Sequence, residues 1–93
     1  MIPMNEYFEG KVRSLSFQNS AGKFTNGVMK AGEYEFGTSS TEYMTLTSGK
    51  WLIKLPGSSE FKEYGLFETY EVPANSKFQL QVLEDSAYTC RYL

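Results

Sequence analysis

Period-two alternation of apolar and polar residues is the feature that most restricts the fold of this chain. In "GEYEF" the aromatic residues Tyr34 and Phe36 alternate with glutamates, and "KWLIKL" (50–55) and "KFQLQV" (77–82) repeat the pattern. Successive side chains of a β-strand point to opposite faces, so each segment predicts a strand with one buried face. No segment shows the 3.6-residue period of an amphipathic helix over a comparable length.

Short turn-forming segments separate these predicted strands. Examples are "NSAGK" (19–23), "TSGK" (47–50), "LPGSS" (55–59) and "VPANS" (72–76). Glycine, proline, asparagine and serine favour turns, and short strands separated in this way are typical of an all-β sandwich or barrel. The sequence therefore predicts one all-β domain over residues 1–93.

Size and charge restrict the partners. A chain of 93 residues is near the size at which a single core is marginal, so we expect a homodimer. The formal net charge is −2, and the nine lysines and arginines are scattered along the chain. Sequence-independent nucleic-acid binding needs a basic face, so nucleic acid is not an expected partner.

The chain has one cysteine, Cys90, and no histidine. A disulfide within the chain is therefore excluded, and so is a structural zinc site, whose ligands are mainly cysteine and histidine. The N-terminal "MIPMNEYFEGK" lacks a basic leader, and no segment approaches the roughly 20 apolar residues of a membrane span. We expect a cytoplasmic protein with no membrane partner.

Two segments, "EYMTLTSG" (42–49) and "YEVPANSKFQLQV" (70–82), have the spacing of the two signature segments of cupins, which they resemble. The resemblance implies a cupin-like (jelly-roll) β-barrel. It places Phe36, Thr38, Glu42 and Phe78 where a metal-binding cupin has its ligands. Phenyl rings carry no lone-pair donors, so we expect no metal cofactor.

Seven segments in register extend the resemblance over nearly the whole chain. They are "NEYFEGKV" (5–12), "GVM" (27–29), "GEYEF" (32–36), "EYMTLTSG" (42–49), "LP" (55–56), "VPANSKFQLQV" (72–82) and "YTCRYL" (88–93). Together they resemble the small bacterial pyrimidine/purine nucleoside phosphorylases. The resemblance implies cleavage of diverse nucleosides by inorganic phosphate, as co-substrate, to a free base and ribose 1-phosphate, without a metal.

Phosphorolysis needs donors for phosphate and acceptors for the ribose hydroxyls. Arg91 is the leading phosphate candidate, because a guanidinium offers paired N–H donors, and Lys11 and the amides near Gly49 are reserves. If Tyr88, Cys90 and Tyr92 face the core, however, Arg91 faces away, towards a neighbouring subunit. Glu42 is the main candidate for the ribose and for catalysis. Secondary ribose candidates are Glu33, Gln79 and Gln81, for which a surface or dimer-contact role is equally compatible.

Flat aromatic rings stack on any nucleobase, which suits a broad substrate range. The candidate residues for substrate binding are Tyr7, Tyr34, Phe36, Thr38, Tyr43, Phe78 and Tyr92. Most aromatic residues of so small a domain must form its core, so we expect one or two of these rings to touch the base. Cys90 is interpreted as a small buried residue, since no histidine is present to activate it.

Two other functions are compatible with the same residues. One is a non-catalytic module that binds a nucleoside or sugar in the aromatic cavity. The other is an interaction domain whose barrel is completely filled by side chains. A cavity rimmed by Glu42 and a basic group would exclude the filled barrel, and phosphate-dependent release of base would separate the enzyme from the binding module.

Overall fold

A computed structural model describes all 93 residues and shows eight strands and a single short helix. The elements are β1 (Met4–Tyr7), a 3-10 turn (Phe8–Gly10), β2 (Val12–Asn19), β3 (Gly22–Met29), β4 (Gly32–Gly37), β5 (Glu42–Lys54), β6 (Lys62–Tyr64), β7 (Thr69–Val72) and β8 (Lys77–Tyr92). The predicted all-β class is confirmed. No helix of this chain has the length and apolar character needed to cross a membrane.

All eight strands belong to one antiparallel sheet organised around the long strands β5 and β8. The order is β1-β2-β3-β8-β5-β6, with β4 also paired to β8 and β7 also paired to β5. The first part of β8 pairs with β4, and its last part pairs with β3. Strands β6 and β7 likewise share the free side of β5.

The pairing of β5 with β8 is interrupted by register shifts between Leu46 and Trp51, where the sheet bends. The glycine that the sequence suggested as a turn, Gly49, lies inside β5 at this irregularity, with φ of +98°. The bend lets the two halves of the sheet face one another. Side chains from both halves meet in the core, where the rings of Trp51 and Tyr88 have centroids 6.1 Å apart.

The core consists of inward-facing residues at alternate positions of the strands. Its fourteen buried apolar members include Tyr34 of β4, Trp51 of β5 and Phe78 of β8. Phe36 packs against this cluster while remaining partly exposed.

Candidate functional site

A cavity of about 370 Å³ opens into the barrel, and its volume lies within the range of small-molecule sites. The barrel interior is therefore not completely filled by side chains. Thirteen residues line the cavity: Tyr7, Phe8, Ser14, Met29, Glu35, Phe36, Gly37, Glu42, Met44, Phe78, Tyr88, Cys90 and Tyr92. No lysine or arginine is among them.

One half of the cavity is aromatic. Phe36 of β4 pairs with Phe78 of β8, and their ring centroids are 6.0 Å apart. Tyr7 and Phe8 lie against Phe36, with centroid distances of 5.9 and 5.4 Å. Phe8 has φ of +51°, a conformation uncommon outside glycine. This backbone conformation brings the centroid of the Phe8 ring to a distance of 5.0 Å from the centroid of the Tyr34 ring.

The other half of the cavity is polar and follows the register of β5, β8 and β3. Glu42 lies opposite Tyr92, and Tyr92 lies opposite Lys23. Two positions along each strand, Met44 of β5 lies opposite Cys90 of β8, and Cys90 lies opposite Thr25 of β3. The Thr25 and Tyr92 hydroxyls are 3.1 Å apart and share a hydrogen bond.

Glu42 is a partly buried carboxylate of the cavity lining and lies beside Tyr92 in the sheet. The Cys90 thiol donates a hydrogen bond to Glu42 Oε1 over 3.5 Å. Burial raises the pKa of Glu42, and the hydrogen bond from Cys90 opposes the rise. Glu35 differs, because its carboxylate accepts a hydrogen bond from Gln79 Nε2 over 3.2 Å on the outer face.

The other titratable groups on the polar wall are neutral donors. Burial raises the pKa values of Tyr88, Cys90 and Tyr92 above their ordinary ranges. The nearby Glu42 carboxylate raises the pKa of Cys90 further. These groups therefore keep their protons near neutral pH and can donate hydrogen bonds to a sugar or an oxyanion.

The cavity does not fit the metal that cupins commonly hold. At the four ligand positions, Phe36 and Phe78 present rings, and the Thr38 hydroxyl donates to the Pro73 carbonyl oxygen over 2.7 Å. Glu42 and Cys90 alone offer ligand atoms side by side, and the thiol remains protonated. No group of three His, Cys, Asp or Glu side chains converges anywhere in the chain. These residues therefore lack the converging donors that a cupin metal needs.

Five of the predicted site residues line the cavity, and the others do not. Tyr7, Phe36, Glu42, Phe78 and Tyr92 are brought together in it. Thr38 is buried in the turn, and Tyr34 is buried in the core, where its hydroxyl donates to the Lys30 carbonyl oxygen over 2.7 Å. Tyr43, Gln81 and Arg91 lie outside the cavity.

The three candidates Tyr43, Gln81 and Arg91 lie at outward-facing positions of β5 and β8. Tyr43 of β5 is directly opposite Arg91 of β8, at positions that alternate with the inward-facing residues. Arg91 is exposed, as strand parity predicts once Tyr88 and Cys90 face inward. Gln81 Nε2 donates to Glu33 Oε1 over 3.4 Å. Within a single chain, none of these three can reach a ligand in the cavity.

Eight cavity residues were not predicted from the sequence as site residues: Phe8, Ser14, Met29, Glu35, Gly37, Met44, Tyr88 and Cys90. The alternation "VRSLSF" (12–17) is a signal for Ser14, because it places Val12, Ser14 and Ser16 on one face. Ser14 accepts a hydrogen bond from Asn5 Nδ2 over 3.2 Å. The methionines carried no signal that separates a cavity wall from ordinary core.

Gly27 leaves the space that the Tyr88 ring occupies beside the cavity. A Cβ atom at position 27 would overlap the Tyr88 ring. We expect Gly27→Ala to push this ring into the cavity and to lower kcat/KM for a substrate bound there about tenfold or more. Steady-state kinetics would measure the change. Asn26→Ala, whose side chain binds Thr89 on the outer face, is the matched control. Equal kinetics for both variants would contradict this role of Gly27.

Solved structures of other proteins share this fold. The structure of a protein of unknown function from Vibrio parahaemolyticus has a TM-score of 0.95 and 41% identity, and the match covers 100% of this chain and 99% of that chain. A cupin-2 domain from Rhodospirillum rubrum matches with a TM-score of 0.73 and 12% identity, over 96% of this chain and 67% of that chain. At that identity the likeness concerns the fold alone, and it confirms the predicted cupin-like class.

Sequence comparison identifies the family. A relative from Pseudomonas aeruginosa (strain LESB58), named pyrimidine/purine nucleoside phosphorylase, is 54% identical over 92 residues, covering 99% of both chains. A relative of the same name from Pseudomonas fluorescens is 51% identical, covering 99% of this chain and 98% of its own. The sequence profile described as pyrimidine/purine nucleoside phosphorylase matches residues 2–92. The chain therefore belongs to the pyrimidine/purine nucleoside phosphorylase family.

Proposed function

We propose that this protein catalyses the phosphorolysis of purine and pyrimidine nucleosides in the barrel cavity without a metal. The observation that carries the proposal is the position of Glu42. It is partly buried, has a raised pKa, and lines the same cavity as the aromatic side chains and the hydroxyl donors. An aromatic wall suits a nucleobase, and hydroxyl donors suit a sugar or an oxyanion.

Glu42 serves as the proton donor to the leaving base in this proposal. The bond between the anomeric carbon and the base nitrogen breaks, and its electron pair goes to the base. Protonated Glu42 neutralises the charge that develops there, and a raised pKa keeps the proton available closer to neutral pH. An oxygen of hydrogen phosphate forms the new bond to the anomeric carbon. The proton of that phosphate then returns to Glu42, so that charge and atoms balance.

The substrate range follows from the walls of the cavity. The rings of Phe36, Phe78 and Tyr7 can pack against a flat nucleobase with their faces and edges. Such packing does not discriminate between nucleobases by hydrogen bonding. The strong acceptors of the lining are the carboxylates of Glu42 and Glu35, and that of Glu35 already accepts a hydrogen bond from Gln79. We infer a broad range that includes adenosine and uridine.

The assembly that we propose is a cytoplasmic homodimer. Leu15, Phe17 and Val28 are exposed on the outer face of β2 and β3. Phe17 stacks on Phe24 with ring centroids 5.2 Å apart, which gives this face a flat apolar area. A second copy of the chain would cover it. Arg91 is also exposed on the outside of the sheet, so a role in phosphate binding would require the cavity of the partner subunit.

The decisive experiment follows base release from adenosine and uridine by chromatography, with and without millimolar phosphate. We expect both bases to appear together with ribose 1-phosphate, only when phosphate is present and equally after treatment with a chelator. Nucleoside binding without base release would favour the non-catalytic binding module. Activity that a chelator abolishes and a divalent metal restores would contradict the metal-free mechanism.

A further inference from the structure

A second groove adjoins the cavity and differs from it in charge. Its volume is about 470 Å³, and it shares Tyr7 and Tyr92 with the cavity. Lys23 is the charged side chain among its ten lining residues, and no carboxylate accompanies it. The polar residues of the groove are Asn5, Ser16, Gln18, Lys23, Thr25 and Tyr92. The cavity lining thus includes two carboxylates, Glu35 and Glu42, and no cation, whereas the adjoining groove has a cation and no carboxylate.

The register of the sheet aligns the groove with the proposed proton donor. Glu42, Tyr92 and Lys23 are direct neighbours on three adjacent strands. Neighbouring strands are about 4.8 Å apart, so the Cα atoms of Glu42 and Lys23 are separated by about 10 Å, with Tyr92 between them. Lys23 is two residues before Thr25 and four before Gly27, both buried, and it therefore shares their strand face, with its own side chain exposed at the end of β3.

Lys23 is free to bind an anion. The three ion pairs of the chain join Arg13 to Glu6, Lys30 to Asp85 and Lys50 to Glu63, and none includes Lys23. Hydrogen-bonding groups surround the position that an anion would take. Asn5 Nδ2 donates to Ser16 Oγ over 2.8 Å, and the hydroxyls of Thr25 and Tyr92 are paired. The Asn5 amide is occupied by Ser14 and Ser16, so the donors that an anion would use are the Ser16 hydroxyl, the free proton of the Thr25–Tyr92 pair and Lys23. Neutral hydroxyl donors beside one cation suit a tetrahedral oxyanion.

The other cations near the cavity are less well placed. Lys54 and Lys77 line a smaller groove that also contains Glu35. Lys54 lies opposite Gln79, and Gln79 lies opposite Glu35, in a row on the outer face of the sheet. Arg91 is likewise outside the cavity. Lys23 is thus the cation whose strand position faces the same interior as Glu42.

We propose that the groove at Lys23 is the binding site for the inorganic phosphate co-substrate, with Lys23 as its cation. This inference rests on the proposed function. The sugar then lies beside Tyr7 and Tyr92, the residues that the groove and the cavity share. The base lies on the Glu42 side and the phosphate on the Lys23 side. Attacking and leaving groups are thereby held on opposite sides of the anomeric carbon, as a direct displacement requires.

Lys23→Met tests the assignment by separating the two substrates. We expect the KM for phosphate to rise about tenfold, the size that loss of one charge-assisted hydrogen bond produces, while the KM for uridine changes less than about twofold. Lys23→Arg should recover most of the loss. Lys77→Met, which removes a lysine from the outer-face groove, is the matched control and should leave both values unchanged.

Arg91→Gln tests the alternative, in which Arg91 of a partner subunit binds the phosphate. If Arg91→Gln raises the KM for phosphate and Lys23→Met does not, the inference is overturned and phosphate belongs to a site completed by the partner subunit. Equal increases in the KM values for phosphate and uridine in Lys23→Met would also overturn it. Such a result would indicate a general disturbance of the barrel mouth.

Binding of phosphate alone separates this inference from the proposed function. Titration calorimetry with inorganic phosphate needs neither nucleoside nor turnover. Weaker binding by Lys23→Met than by wild type supports the groove even if no nucleoside is cleaved. Equal binding by the two proteins would remove the groove as a phosphate site while leaving phosphorolysis intact.

Discussion

Replacement of Glu42 by glutamine is expected to lower kcat for phosphorolysis by about 10²- to 10⁴-fold, the usual contribution of a positioned general acid. Glutamine keeps the shape of the side chain and can still donate hydrogen bonds, but it has no acidic proton to give to the leaving base. The KM for the nucleoside should change little, because stacking on Phe36 and Phe78 is retained. Steady-state kinetics with uridine and adenosine at saturating phosphate would measure the effect.

The pH profile identifies the reason for this loss. Burial raises the pKa of Glu42, so the wild-type kcat should decline as pH rises through that value, and Glu42→Gln should lack this limb. Glu71→Gln, an exposed carboxylate on β7, is the matched control and should retain wild-type kcat. A Glu42→Gln enzyme with wild-type kcat, or with the same alkaline limb, would rule out the proton-donor role.

Thermal unfolding provides the folding check on the same variant. Because the pKa of Glu42 is raised, the folded state holds its proton more tightly than the unfolded state does. The tighter binding of the Glu42 proton stabilises the folded state fully below the unfolded pKa of about 4.3. This stabilisation is lost as pH rises through the folded pKa of Glu42. The Tm of the wild type should therefore fall relative to that of Glu42→Gln between pH 4 and pH 8.

Gly49→Ala is expected to lower the free energy of unfolding by about 3 kcal/mol or more, through backbone strain together with a steric overlap. Gly49 has φ of +98°, and a Cβ atom there would overlap Ser86 Oγ and lie 2.7 Å from Ser86 Cα. For a chain of this size the Tm should fall by more than about 10 °C. Thermal and urea unfolding would measure both quantities.

Gly57→Ala separates the two causes. Gly57 also has positive φ, at +80°, but a Cβ atom there meets nothing within 4 Å. It should show the backbone strain alone, and the difference between the variants then measures the overlap with Ser86. Gly49→Ala combined with Ser86→Gly should recover part of the loss. Equal Tm losses for the two glycine variants would contradict tight packing at the bend.

The local alternation of the sequence was sufficient to predict the strand segments at 32–36, 50–55 and 77–82 and their inward faces. Phe36 and Phe78, placed at ligand positions by the cupin resemblance, are direct partners in the sheet and line the same cavity. The same parity, applied to "YTCRYL", predicts the outward direction of Arg91. Such predictions succeed because side-chain direction in a strand depends only on position along that strand.

Local pattern could not tell which inward residues enclose empty space and which fill the core. Tyr34 and Phe36 belong to the same face of β4, yet Tyr34 is buried with its hydroxyl bound to Lys30, and Phe36 borders the cavity. Thr38 has the parity of a ligand, but its hydroxyl also accepts a hydrogen bond from the Ser76 amide over 3.1 Å. The Tyr34 hydroxyl is bound by the turn that precedes β4, and the Thr38 hydroxyl by residues that are remote in sequence.

By itself, the sequence determined the all-β class, the alternating faces, the lack of histidine ligands and the family. Only the tertiary structure decided that Glu42, Tyr92 and Lys23 form one row across β5, β8 and β3, and that Gly49 bends a continuous strand. The physical reason is that alternation is a property of one strand. Register, by contrast, depends on hydrogen bonds between strands that are far apart in the chain, and on how their side chains pack after the sheet has bent.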